Sequence, residues 1–136
     1  TLQKKLSKAK KYTEKALKMF KLMGNILNVA EAYHVFGLLH GTQGNYSEAE
    51  LFLDESLKIN EQKEYIEGLA ETYESYGNLC CQQGQVKRSK EYYEKAADSY
   101  KKLNLHTKVQ KLRNIIDKFD LNLEHDSLAK DEYTQK

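Results

Sequence analysis

The chain has 136 residues, 40% hydrophobic and 31% charged, with seven glycines and no proline. That length supports a single domain with a sizeable core. A mean hydropathy of −0.79, with no apolar run near the roughly 18 residues of a membrane span, argues against a transmembrane role and a membrane partner.

The net charge of +2 hides an asymmetry, because residues 1–23 carry eight lysines against Glu14 alone, a local +7 that leaves the remainder at −5. A basic opening before an acidic body suits an anionic partner at the front. No charged-then-apolar leader resembles a signal peptide, and the adjacent Cys80 and Cys81 cannot sensibly bridge each other. Both features suit a reducing compartment, so a cytoplasmic protein is expected. A first residue of Thr1 leads to the expectation of a piece of a longer or processed chain.

In chain order, residues 2–23 read as one amphipathic helix. Leu2, Leu6, Ala9, Thr13, Ala16, Leu17 and Phe20 recur at threes and fours, with Lys4, Lys8, Lys11, Lys15 and Lys18 on the opposite face. Gly24-Asn25 stops it, the glycine in a left-handed C-terminal conformation and Asn25 as the next N-cap. A second helix is expected from about Ile26 to Thr42 and a third from about Tyr46 to Asn60. Asn45, followed three residues later by Glu48, reads as a capping box before the third. No glycine or proline marks the break before a fourth helix from about Tyr65 to Gln82, so that boundary falls somewhere in Asn60 to Lys63. A fifth spans about Val86 to Leu103. A sixth, roughly His106 to Phe119, turns Val109, Leu112, Ile115, Ile116 and Phe119 to its neighbours. Residues 121–136 show little periodicity and read as a frayed or disordered polar tail. Strand-type alternation is missing, and loops of two to four residues between long helices make antiparallel neighbours.

Ala30, Tyr33, Gly37, Gly44, Phe52 and Leu57 meet Ala70, Tyr73, Gly77, Gly84, Tyr92 and Ala97 after a step of 40 residues. A fixed period of this size is the mark of a repeat array. With the pattern Tyr33…Phe36-Gly37…His40…Gly44…Ala49…Leu53…Ser56, repeated as Tyr73…Tyr76-Gly77…Cys80…Gly84…Ser89…Tyr93…Ala96, the chain resembles the tetratricopeptide repeat (TPR) family. The usual period of that family is about 34 residues. A step of 40 is similar to the longer variety found in cell-polarity adaptors and bacterial signalling regulators, which Glu67-Gly68-Leu69-Ala70-Glu71-Thr72-Tyr73 and Tyr76-Gly77-Asn78-Leu79 match best.

The resemblance implies an all-α fold, an α-solenoid of stacked antiparallel helical hairpins with a right-handed superhelix and about six helices. It covers residues 1–120: a half repeat at 2–23, full repeats at 26–63 and 65–104, and a closing helix at 106–120. Asp117 stands where Gly37 and Gly77 stand, which suits a closing helix rather than a further repeat. Glycine at 37 and 77 with Ala49 and Ser89 would let paired helices approach closely, while Tyr33, Phe36, Tyr73 and Tyr76 fill the space between hairpins. Tyr12, Tyr92 and Tyr93 also fall at packing positions, each stabilising by roughly 1.5–3 kcal/mol if buried.

No catalytic constellation, cofactor motif or metal site stands out. His34 and His40 lie six apart, which does not place them on one helix face, and no acid or cysteine completes a ligand set around them in sequence. His40 and Cys80 read as packing residues. Nothing near Cys81 in sequence would activate its thiol. The lysine stripe reads as a solvated outer face, since nucleic-acid binders interleave arginine and aromatic readers.

What the resemblance implies for function is a scaffold that binds a protein or peptide in the concave groove lined by the first helices of successive hairpins. The matching positions are Glu31, His34, Leu38 and Thr42, then Glu71, Glu74, Asn78, Cys81 and Gln82. Asn78 leads, because an amide offers a peptide backbone both a donor and an acceptor. Glu31, Glu71 and Glu74 make the groove mildly acidic, which suits basic or neutral ligands. The lysines and arginines of a carboxylate clamp are missing, since His34 and Glu74 stand in their place. Alternatives are a ligand-sensing regulatory module of a signalling or transcription protein, a plain spacer, and self-association through the half repeat at 2–23.

Overall fold

The computed structural model describes the backbone of residues 1–134 and the side chains of residues 1–122. Six helices account for its regular structure: α1 (Leu2–Leu22), α2 (Ile26–Thr42), α3 (Tyr46–Gln62), α4 (Ile66–Gln82), α5 (Val86–Lys102) and α6 (His106–Thr134). No strand occurs among the described residues. Each helix packs on its neighbours in sequence, and α2 also touches α4. This is the expected solenoid, in which contacts run only to adjacent units.

The chain keeps a stricter metre than its 40-residue repeat. Helices α2 to α6 begin at 26, 46, 66, 86 and 106, and a residue of positive φ precedes each start by two: Gly24, Gly44, Glu64, Gly84 and Asn104. Each loop closes the helix before it in one way. The Asn25 N–H donates to the Phe20 carbonyl (2.9 Å) and the Gly24 N–H to that of Lys21 (3.2 Å), the paired bonds of a Schellman motif. The same pair recurs at Asn45 and Gly44, Tyr65 and Glu64, Gln85 and Gly84, and Leu105 and Asn104.

The break between α3 and α4 therefore lies at residues 63–65, where Glu64 takes φ 52° without the aid of glycine. The capping box at Asn45 does not form: Asn45 makes no side-chain cap hydrogen bond, and the Glu48 carboxylate lies instead 3.0 Å from His40 Nδ1. Nor does the closing helix end at 120. It continues to Thr134, through most of the expected tail. Residues 135–136 of that tail lie outside the described residues.

Glycine sets the spacing within each hairpin. A Cβ on Gly37 would stand 2.7 Å from Leu53 Cδ2, and one on Gly77 would stand 2.5 Å from Tyr93 Cδ1. With these positions bare, Leu53 and Tyr93 are buried against the facing backbone. Ser89, also buried, donates to the Gly77 carbonyl at 2.8 Å. Within each hairpin, and not between hairpins as expected for Phe36 and Tyr76, Phe52 stacks on Phe36 (5.1 Å) and Tyr92 on Tyr76 (4.1 Å). Arg88 of α5 crosses to Glu50 of α3 at 2.8 Å while lying over the Tyr76 and Tyr92 rings. A buried polar trio of Ser56, Asn60 and Thr72 sits at the α3–α4 junction beneath Gly68, whose lack of a side chain makes room for Asn60.

The first helix is more lightly held. It buries no residue fully, although Leu6, Ala9, Thr13, Ala16, Leu17 and Phe20 are half-buried against α2. Tyr12 is 64% exposed rather than core, because among the described residues only α2 packs against α1. Lys4, Lys8, Lys11, Lys15 and Lys18 are all exposed, as a solvated stripe should be.

Three outcomes follow for denaturant unfolding. Gly77→Ala is expected to lower stability by about 1–3 kcal/mol through overpacking against the fixed Tyr93 ring, despite a helix-propensity gain of about 1 kcal/mol. Gly41→Ala is expected to be neutral or better, because its Cβ meets only the tip of Leu79 at 3.1 Å. Glu64→Gly should raise stability by roughly 0.5–1 kcal/mol, since the left-handed conformation is free of cost only for glycine.

Candidate functional site

Helices α2 and α4 are the first members of the two complete hairpins, and they lie side by side with residues 40 apart in the same register. A groove of about 340 Å³ runs between them, lined by Leu38, Thr42, Ser75, Asn78, Gln82 and, at its floor, Leu53. It opens because Gly37 and Gly41 present no side chain there. Leu38 is 47% exposed, a large apolar surface turned to solvent at the middle of the groove.

Four of the nine expected residues, Leu38, Thr42, Asn78 and Gln82, meet in this groove. Cys81 is exposed but stands outside its lining. Thr42 is committed within its own helix, its hydroxyl donating to the Leu38 carbonyl at 2.9 Å. Asn78 is half committed: its Oδ1 accepts from the Tyr93 hydroxyl, so its amide NH₂ is what it offers outward. Ser75 was not among the expected residues. Its place three residues before Asn78 and four after Glu71 puts it on the same helix face, which is the signal that identifies it.

The remaining positions form an acidic end. His34, expected as a ligand-facing groove residue, is buried (8% exposed) and spans the gap between hairpins, its Nε2 2.7 Å from Ser75 Oγ of α4. Its Nδ1 faces Glu31 Oε2 at 3.8 Å. Glu71 completes the group, with one donor atom from each of Glu31, His34 and Glu71 lying within 4.8 Å of one another. Glu31 stands one turn before His34 in the sequence, and the fold adds Glu71 from the next repeat. Burial, then the neighbouring carboxylates of Glu31 and Glu67, hold the Glu71 carboxyl above its ordinary range. Glu74 is tied down as well, accepting the Tyr100 hydroxyl at 2.8 Å.

Ser75, His34 and Glu31 follow one another in the order of a nucleophile, a base and its orienting acid. Ser75 and His34 sit in helix interiors, where backbone N–H groups are spent on the helix and cannot form an oxyanion hole. The 3.8 Å gap to Glu31 is also too long for the hydrogen bond that would orient the ring. His40 plays no part here; it stacks on Phe52 at 5.2 Å, and burial lowers its pKa. Burial pushes the Cys80 thiol up, away from a reactive thiolate.

Two family models, each described as a tetratricopeptide repeat, match residues 29–63 and 70–106, together just over half of the chain. Neither the curated proteins nor the solved structures give a match.

Because the folded carboxyl of Glu71 is raised, its contribution to stability is full at pH below its unfolded value and is lost as pH rises through the folded one. Glu71→Gln is therefore expected to stabilise the protein at neutral pH and to lose that advantage below about pH 4, read as urea midpoints at the two pH values. An unchanged difference between variant and parent across that range would contradict the crowded-carboxylate geometry.

Proposed function

Since this chain belongs to the tetratricopeptide repeat family, whose members are in general protein-interaction modules, we propose that it binds a peptide or partner helix in the groove between α2 and α4. The chain acts as a non-catalytic scaffold, and its free thiols Cys80 and Cys81 suit the reducing cytoplasm.

The observation that supports this reading is the groove itself. It combines an exposed leucine with unspent amide donors on Asn78 and Gln82, and its Ser75 reaches His34, beside which stand the carboxylates of Glu31 and Glu71. An apolar patch beside a few placed polar groups gives a ligand both area and orientation. The chemistry selects a partner with an apolar side chain for Leu38, carbonyls for the two amides, and lysine or arginine at the acidic end. A partner ending in a carboxylate finds no cation among these residues.

A library of random peptides displayed on phage and panned on the protein, with a Leu38→Asp, Asn78→Ala double variant as counter-target, tests this. Both substitutions are at exposed positions, so the helical circular dichroism should stay as in the parent. Enriched peptides are expected to carry basic residues and to bind the double variant at least tenfold more weakly. Peptides that bind both proteins equally would place recognition elsewhere.

A further inference from the structure

We propose that Glu31, His34 and Glu71 bind one borderline divalent cation of the zinc type, which clips α2 of the first complete hairpin to α4 of the second. The donors are one ring nitrogen of His34 and one carboxylate oxygen from each glutamate, already within 4.8 Å of one another, and Nδ1 is the nitrogen that faces Glu31, at 3.8 Å. Around a tetrahedral zinc with bonds of about 2.0–2.1 Å, donors stand about 3.4 Å apart. The site therefore closes by a little over an ångström, and the Glu31 side chain, 62% exposed, is free to make that movement.

The buried histidine distinguishes this group from an ordinary surface acid pair. His34 is more than nine-tenths buried, and the contact of its Nε2 with Ser75 Oγ fixes the ring. In the tautomer whose Nε2–H donates to that hydroxyl, Nδ1 carries the lone pair and lies 3.8 Å from Glu31 Oε2, beyond hydrogen-bond reach. A histidine ligand whose second ring nitrogen is held by a neighbouring acceptor is the usual arrangement at a metal centre.

Charge favours a cation in the same place. Glu31 and Glu71 crowd each other there, their donor oxygens within 4.8 Å. Among the described cations, Lys108 of α6 also acts on Glu71, but its ammonium lies over the Tyr100 ring at 4.9 Å. An imidazole with two carboxylates suits zinc or cobalt, whereas magnesium and calcium ask for six or more oxygens. The ion would join two elements that otherwise meet only through the thin α2–α4 contact, so binding should stabilise the stack.

The test is calorimetric titration of ZnCl₂ into the untagged, EDTA-treated chain at neutral pH, with thermal unfolding alongside. We expect one ion per chain, a raised melting temperature, and no heat from MgCl₂ at the same concentration. Glu31→Gln and Glu71→Gln keep the side-chain volume and spare the buried histidine, so both should fold, and each should weaken zinc binding at least tenfold. Cobalt(II) should give visible absorption bands that these variants lose. Absence of saturable one-to-one binding would overturn the assignment. So would wild-type affinity in both glutamine variants, or zinc binding that vanishes only in Cys81→Ser.

Discussion

At Gly37 and Gly77 the backbone of one helix lies against the side chain of its partner, Leu53 in the first hairpin and Tyr93 in the second. Everything else in the molecule depends on that approach. It sets the separation of the helices in each hairpin and buries Leu53 and Tyr93. It also brings Ser89 within hydrogen-bond reach of the Gly77 carbonyl. Phe52 and Tyr92, beside them on the second helices, then stack on Phe36 and Tyr76. A methyl group at either glycine would have to displace a buried, close-packed side chain, and interiors packed to that density yield little.

The second constraint is the loop. Because each of the five loops places a left-handed residue at the same position and uses the equivalent pair of carbonyl acceptors, the helices repeat without drift in register. Residues 40 apart then come to equivalent places on neighbouring helices. That is how Glu31 and Glu71, a turn and a repeat away from His34, converge on it. The acidic end of the groove is thus a consequence of periodicity: one glutamate per repeat at one register becomes a pair of carboxylates once the repeats stack.

The repeat, its glycines and most helix boundaries were legible in the sequence because they rest on local spacing and on residue types with few roles. The α3–α4 break was not, because Glu64 adopts a conformation that its type does not advertise; only the 20-residue metre between Gly44 and Gly84 points to it. The extent of α6 is hidden for the opposite reason: its periodicity fades after Leu121, which reads as a tail, although no glycine or proline interrupts it. Within the groove, positions were easier to place than availability. Leu38 and Gln82 stand open, but Asn78 has one lone-pair partner in Tyr93, Glu74 holds Tyr100, and His34 reaches across to Ser75. Those contacts join residues 15, 26 and 41 apart, and no reading of a single helix face contains them.

The hairpin geometry rests on the close approach of Gly77 to Tyr93, and a double-mutant cycle measures it. Unfolding free energies of the parent, Gly77→Ala, Tyr93→Leu and the double variant isolate the coupling between the two positions. If the ring forbids the methyl, replacing Tyr93 by the slimmer leucine relieves the clash, and the alanine becomes neutral or stabilising in that background. The coupling should then be at least about 1 kcal/mol. Additive effects would mean that Gly77 is not held against Tyr93, and the hairpin geometry on which the groove depends would be wrong.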